Sequence, residues 1–446
     1  MKFLLHTLVL TSILVVLSSV YSRSQPGGAD DSLIQEEVTT QLNESGPEPV
    51  KEIISKPRAI YNYLMSHYDD GLVFESKNGN FRVRSRTRVQ LQFSVTDKDS
   101  NSTDTDFFLR RLRLKLDGHA FRPWLKYVLQ VSRDEIKLNQ LGDASGIQLK
   151  DAYIDAVYFK KIFPRIGQFK VPYNREELNS SSALLLVERS IVNTEFAYAR
   201  DRGAGLYGIL GKHIVYGTGV FGGAGIQGTE EGTAIGSNLF ATRVQLDFGG
   251  TLQYGSGSFP SGGDYKLVPD FTKVPVFVFG AAFVGIPDLD IKGKTPDSGA
   301  LVKRFDELGI ERGGVVSIAA DASYKLPTYN IEAAYLGRWI NPDKGDRETV
   351  YDQGLRIQTG VFLVPDFIEV AGRWAYIFYD TSPSVVTMGG VVRDSSWELT
   401  PGINCYFSRN NNWKVQLSYS FVNNEFTGGA PDINEKILRV QFQAYF

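Results

Sequence analysis

From about Gly71 to the last residue, Phe446, apolar and polar residues alternate with a period of two. In the final segment Leu438, Val440, Phe442, Ala444 and Phe446 share one face, and Arg439, Gln441 and Gln443 share the other. The segment before it repeats the pattern, with Trp413, Val415, Leu417, Tyr419 and Phe421 against Lys414, Gln416, Ser418 and Ser420. Further back, Val316, Ile318, Ala320, Ala322 and Tyr324 oppose Ser317, Asp321, Ser323 and Lys325. Side chains on a strand point alternately to opposite faces, so each segment reads as a strand that is apolar on one side only. Segments of about ten residues separated by Gly, Asn, Asp and Pro turns are what a membrane-spanning barrel requires. A soluble β-sandwich has the same period, and other features must decide between them.

The first 24 residues decide much of it. Met1 and Lys2 precede an apolar run over Phe3–Val20, and small residues such as Ser22 and Ser24 follow. This reads as a secretory signal peptide over residues 1–24, with no cysteine behind it to carry a lipid. No later apolar stretch reaches 18 residues, so the chain enters a membrane as strands or not at all. The single cysteine, Cys405, excludes an internal disulfide framework and any multi-cysteine metal site. Its register with Leu399, Ile403 and Phe407 predicts an inert, lipid-facing thiol. Aromatics recur at segment ends (Trp339, Trp374, Trp413, Tyr445, Phe446), as an interfacial girdle places them. Together these features favour an all-β fold, a transmembrane antiparallel β-barrel over residues 72–446. It would be preceded by a short flexible or helical N-terminal segment, residues 25–71, rich in Asp and Glu. At roughly 20–25 residues per strand and its turns, this length gives about 16 strands and a water-filled interior. The stretches 223–240 and 255–273 are candidate long surface loops.

Lys plus Arg number 48 and Asp plus Glu 50, a balance that argues against nucleic-acid binding by bulk charge. The local distribution is different. Between residues 80 and 133 there are 12 Lys plus Arg and 5 Asp plus Glu. Arg82, Arg84, Arg86 and Arg88 fall on one face with Gln90 and Gln92, and Val83, Val89, Leu91 and Phe93 on the other. Alternate residues repeat at about 6.8 Å, so the arginines form a column roughly 20 Å long. Exposure of such a column to lipid is prohibitive, so it must face the lumen. The next segment adds Arg111, Arg113 and Lys115 opposite Leu112, Leu114 and Leu116. Acids of inward parity, Asp151, Asp155, Asp247, Asp321, Glu332 and Glu369, are available to pair with some of these cations. The column still favours a path for small anions.

The chain also resembles the phosphate-selective porins, the O and P type of gram-negative outer membranes. The resemblance rests on GLVFESKNGNFRVRSRTRVQLQ (71–92), FFLRRLRLKLDGHAFRPWLKYVLQ (107–130), LKDAYIDAV (149–157) and IGQFKVPYNREELNSSSALLLVERS (166–190). It implies a 16-stranded barrel in the outer membrane, a homotrimer, with inward loops narrowing a pore lined by Arg and Lys. Carried over by motif, it implies lumenal roles for Arg88, Arg110, Arg111, Asp151, Lys170 and Arg189, with phosphate as the anion. Strict alternation cannot point both Arg110 and Arg111 inward, so one of them requires a bulge or reaches the rim. The strand opening RSRTRVQ is denser in arginine than the family pattern, which commonly has glycines there.

Gly223, Gly225 and Gly228 spell G-x-G-x-x-G, but no helix pattern or acidic partner follows. Nucleophile-elbow, zinc-protease and P-loop sequences are absent, and no cofactor, metal or enzymatic activity is expected. The expected partners are small anions and outer-membrane lipid. The other readings are a general or organic-anion porin, and a surface-exposed structural or adhesion barrel.

Overall fold

The computed structural model describes residues 71–98, 103–137, 146–223, 237–248, 275–294, 299–326, 328–343, 348–382, 391–408 and 411–446. The leader and nearly all of the acidic segment lie outside these residues. The strands are β1 (Leu72–Glu75), β2 (Arg82–Lys98), β3 (Asp104–His119), β4 (Leu125–Lys137), β5 (Gln148–Ala156) and β6 (Phe163–Lys170). There follow β7 (Arg200–Leu210), β8 (Ile214–Phe221), β9 (Leu239–Phe248), β10 (Val276–Asp290), β11 (Arg312–Lys325) and β12 (Tyr329–Pro342). The last are β13 (Val350–Val364), β14 (Ile368–Phe378), β15 (Arg393–Tyr406), β16 (Trp413–Phe426) and β17 (Ile433–Tyr445). Among the described residues, three short helices, α1 (Arg175–Leu178), α2 (Ile191–Phe196) and α3 (Ala300–Glu307), lie in the connections.

Strands β2 to β17 pair antiparallel in chain order, and β17 returns to β2 (Leu438↔Val95, Phe442↔Leu91), closing a 16-strand barrel. Closure removes every sheet edge, which an environment without water demands. The short β1 folds back beside the start of β2 (Leu72↔Ser85), just beyond the point where β17 ends. The alternation predicts the faces correctly. Phe277, Phe279, Phe283, Leu399, Ile403 and Leu417 are exposed on the outer wall, while Ser317, Asp321, Gln416 and Gln441 are buried inside. An apolar belt this extensive on the outside is the surface a bilayer covers. Trp413, Tyr445 and Phe446 sit at one rim and Trp339 near the other, but Trp374 lies mid-strand, not at an end.

The rim bearing the C-terminus carries short turns such as 120–124, 211–213 and 365–367, and the opposite rim carries the long connection between β6 and β7. Short turns mark the periplasmic side of such barrels. The candidate surface loop 255–273 lies outside the described residues. The strands flanking it, β9 and β10, end and begin at the short-turn rim.

The expected water-filled interior is only half right. The connection between β6 and β7, residues 171–199, folds into the lumen, as does α3 from the connection between β10 and β11. Tyr173, Val192, Phe196, Leu301, Val302 and Phe305 pack there against Val278, Val284, Val315, Leu336 and Ile340 of the wall. Gly354 makes this approach feasible, because a Cβ there would lie 2.9 Å from both Phe196 and Val192. Along β10–β13 the inner face thus contributes to a dry core, whereas along β15–β17 and β2–β4 it is polar. Sequence parity identifies an inward face, but not what fills the space in front of it.

The last residue is part of the closure. The Phe446 N–H donates to the Thr87 carbonyl (2.9 Å), and the Thr87 N–H donates to the Phe446 carbonyl (2.6 Å). Deleting Phe446 removes both bonds and the terminal aromatic. The expected outcome is loss of heat-modifiable barrel from the membrane fraction with export intact. An undiminished heat-modifiable band contradicts it.

Candidate functional site

The arginine column faces inward, as its parity requires. Cross-strand register sets Arg86 opposite Lys115, Arg88 opposite Arg113 and Gln90 opposite Arg111. Like charges directly opposite repel, so each requires oxygen partners. Asp117 supplies them to Arg84 (2.9 Å) and Arg86, and Asp134 to Arg113 (3.1 Å). Arg82 lies at the rim beside Glu75 (3.4 Å). The column is not open to water, however. Arg86, Arg88, Arg111, Arg113 and Lys115 are all buried, and the tip of the inward loop lies across Arg88 and Arg113.

That tip is Ser180–Ser181–Ser182. Arg88 donates to the hydroxyls of Ser181 (2.8 Å) and Ser180 (3.0 Å), and Arg113 donates to Ser181 (3.1 Å). Gln90 and Gln443 donate to the carbonyls of Ser181 and Ser182. Beyond the tip, Asn404 donates to the Leu185 carbonyl (2.8 Å) and Lys414 to that of Leu184 (3.1 Å). The loop therefore runs along the polar half of the wall with its backbone oxygens satisfied by wall donors.

Two of the motif residues hold the loop rather than line open space. Lys170, at the end of β6, donates to the carbonyls of Glu177, Leu178 (3.3 Å) and Asn179 (2.9 Å). Arg189 donates to the carbonyls of Glu176 (3.1 Å) and Asn179 (3.1 Å). Helix α1 begins at Asn174, whose side chain caps the Glu176 N–H, and the two cations sit on its unpaired C-terminal carbonyls. Asp151 binds Arg200 through both oxygens (3.0 and 3.2 Å), so its partner is a residue the motif reading does not single out. Lys150 also turns inward toward Asp134 (3.2 Å), at a second register shift between β4 and β5. Asp155 pairs with Arg165, Asp321 with Arg243, and Glu332 with Arg175 and Arg356. Glu369 is held by neutral donors, Asn330, Asn404 and Tyr406. A further chain of buried pairs, Glu307–Arg393–Glu195–Arg338–Asp352–Arg304, ties α3, α2 and the wall together.

Above the loop, toward the long-loop rim, is a cleft of about 480 Å³. The register shifts between Gln90 and Leu91, which makes Arg110 a bulged residue and resolves the conflict over Arg110 and Arg111. Both reach Glu188 of the inward loop, and Arg110 also meets Glu135 (2.6 Å). The two guanidinium groups hold the Glu188 carboxyl well below the usual carboxylate range despite its burial. Arg373, paired with Glu398 (2.9 Å), and Arg439 complete the basic lining. Sequence parity places Arg439 on the inward face, but nothing local in the sequence marks Arg373 or Arg439 as neighbours of Arg110. Among the described residues no His, Cys, Asp and Glu group is arranged to hold a metal ion.

Hydrogen bonds to a charged donor contribute about 1.5–3 kcal/mol each, so Lys170 is a main anchor of the loop. Lys170→Met is expected to loosen the loop, raising both single-channel conductance in planar bilayers and protease cleavage within 171–199. Conductance and cleavage equal to wild type contradict the clamp.

A family model described as phosphate-selective porin O and P matches residues 81–264. No curated protein matches the chain. Among solved structures, the anion-selective porin from Comamonas acidovorans aligns with a TM-score of 0.54 at 13% identity, covering 82% of this chain and 99% of that one. The outer membrane channel DcaP of Acinetobacter baumannii aligns at 0.54 and 9% identity, covering 84% and 99%. Salmonella typhi OmpF in complex with daunomycin aligns at 0.53 and 13% identity, covering 83% and 100%. At these identities the likeness is one of fold.

Proposed function

We propose that this chain, which matches the phosphate-selective porin O and P model over residues 81–264, is an outer-membrane porin of that kind and that it conducts small anions, phosphate among them, by passive diffusion through a lumen of Arg and Lys. The observation that carries the reading is the basic wall. Arg82, Arg84, Arg86 and Arg88 on β2 adjoin Arg111, Arg113 and Lys115 on β3, with Asp117 the acid between the two columns. Guanidinium and ammonium donors replace the hydration of an anion, and their spacing along the strands permits hand-over from one to the next. Oxygens of the serine tip occupy the donors of Arg88 and compete with the passing anion, so binding stays weak enough for release. Asp151 and Glu188 hold basic neighbours in place and temper their affinity. Phosphate offers several acceptor oxygens to convergent guanidinium forks, a geometry chloride lacks. The adhesion reading is disfavoured, because the connection 171–199 and helix α3 turn inward instead of outward. A homotrimer accompanies this reading.

The test is chloride conductance through the purified barrel under added phosphate. Saturable block at roughly millimolar concentration is expected, weakened in Arg88→Gln, whose side chain meets serine hydroxyls and the Tyr445 ring. Conductance insensitive to phosphate in the wild type overturns the phosphate part of the proposal.

A further inference from the structure

The short-turn rim concentrates positive charge on one side of the barrel. Among the described residues, the turns 76–81, 120–124, 157–162 and 211–213 contain Lys77, Arg122, Lys160, Lys161 and Lys212, and no Asp or Glu. All of these cations are exposed, and none has an ion-pair partner among the described residues. Lys160 and Lys161 are the central residues of the tight turn Phe159–Ile162, closed by the Ile162 N–H on the Phe159 carbonyl (3.2 Å). The next hairpin holds this turn in place. The Ile209 N–H donates to the Lys160 carbonyl (3.0 Å), and the Tyr216 hydroxyl donates to that of Lys161 (2.8 Å). The nearest acid on β5, Asp155, faces inward and is held by Arg165. Beside the lysines, Trp124, Tyr158 and Phe159 form an edge-to-face row with ring centroids 5.9 and 4.7 Å apart. Tyr158 and Phe159 are 67% and 63% exposed. On the outer wall Ile154 lies opposite Ile166, and Ile162 carries the apolar face down to the rim; all three are exposed.

Aromatic rings at a barrel rim sit at headgroup level, with the apolar wall among acyl chains and lysine tips in the polar zone. Clustered Lys and Arg at such an interface attract anionic headgroups. We propose that the turn Phe159–Ile162 binds an anionic phospholipid of the periplasmic leaflet, its phosphate on Lys160 and Lys161 and its acyl chains on Ile154, Ile162 and Ile166. A zwitterionic lipid brings its own ammonium group, which the lysine pair repels, so the surface selects net negative charge. A cell-wall polyanion meets the lysines but leaves the rings and isoleucines unused. Lipid A phosphates lie in the opposite leaflet. The inference is independent of what passes through the lumen.

The experiment is native mass spectrometry of the delipidated barrel offered equal phosphatidylglycerol and phosphatidylethanolamine in detergent. The wild type is expected to retain phosphatidylglycerol in preference, each lysine contributing roughly fivefold. Lys160→Gln with Lys161→Gln removes most of that preference, whereas Lys292→Gln, an exposed lysine outside these turns, leaves it unchanged. Tyr158→Ser with Phe159→Ser lowers retention of both lipids alike. Heat-modifiable mobility establishes that each variant is folded. A wild type that retains the two lipids equally, or a preference that survives loss of both lysines, overturns the inference. Sedimentation with peptidoglycan that depends on the same lysines, without lipid preference in the wild type, assigns the rim to a cell-wall polymer and overturns it as well.

Discussion

Guanidinium groups cannot be left inside a low-dielectric wall without oxygen around them. An unpaired buried charge is among the most destabilising features a fold can contain. The column Arg82–Arg88 and its neighbours on β3 therefore dictate the interior. They point inward because lipid lies outside, and once inside they must be given carboxylates, hydroxyls, carbonyls or hydrated anions. Asp117, Asp134 and Glu188 supply part of this, and the serine tip of the inward loop supplies oxygens to Arg88 and Arg113. The loop's position is in this sense a consequence of the arginines.

The same requirement explains how the lumen divides. Where the wall is polar, loop carbonyls meet Lys414, Gln416 and Asn404. Where apolar residues of β10–β13 face inward, helices α2 and α3 bring Val192, Phe196, Val302 and Phe305 against them. Buried pairs such as Arg338–Glu195 and Arg304–Asp352 then fix the helices to the wall. Taking such ions out of water is expensive, so these pairs specify where the loops sit more than they stabilise the barrel. What remains open lies above the serine tip, between Arg110, Arg111, Arg373 and Arg439.

Much of this was legible in the residues. The two-residue period of β17, Leu438 to Phe446 against Arg439 to Gln443, specifies which side of the wall each side chain occupies, because register on a barrel leaves no other choice. The clash of Arg110 with Arg111 against strict alternation called for a bulge or a side chain reaching the rim, and the structure contains the bulge. The roles of Lys170 and Arg189 were not legible. Their targets are carbonyl groups of a folded-in loop, and a sequence contains no signal for where a loop's backbone turns. Nor were the partners of Asp151 and Asp321, which lie 49 and 78 residues away in the chain and meet only through the curvature of the barrel. Arg439 was visible as an inward residue, but its place beside Glu188 and Glu398 is a property of its neighbours across the lumen.

The central claim is that this interior favours anions although the chain as a whole is nearly neutral. The zero-current potential of the wild-type channel under a potassium chloride gradient reads this directly. Positive charge concentrated on β2 and β3 predicts a potential of the sign set by chloride movement, and of smaller magnitude at high salt, where screening weakens the wall. A potential of the sign set by potassium, at low salt and neutral pH, contradicts the account.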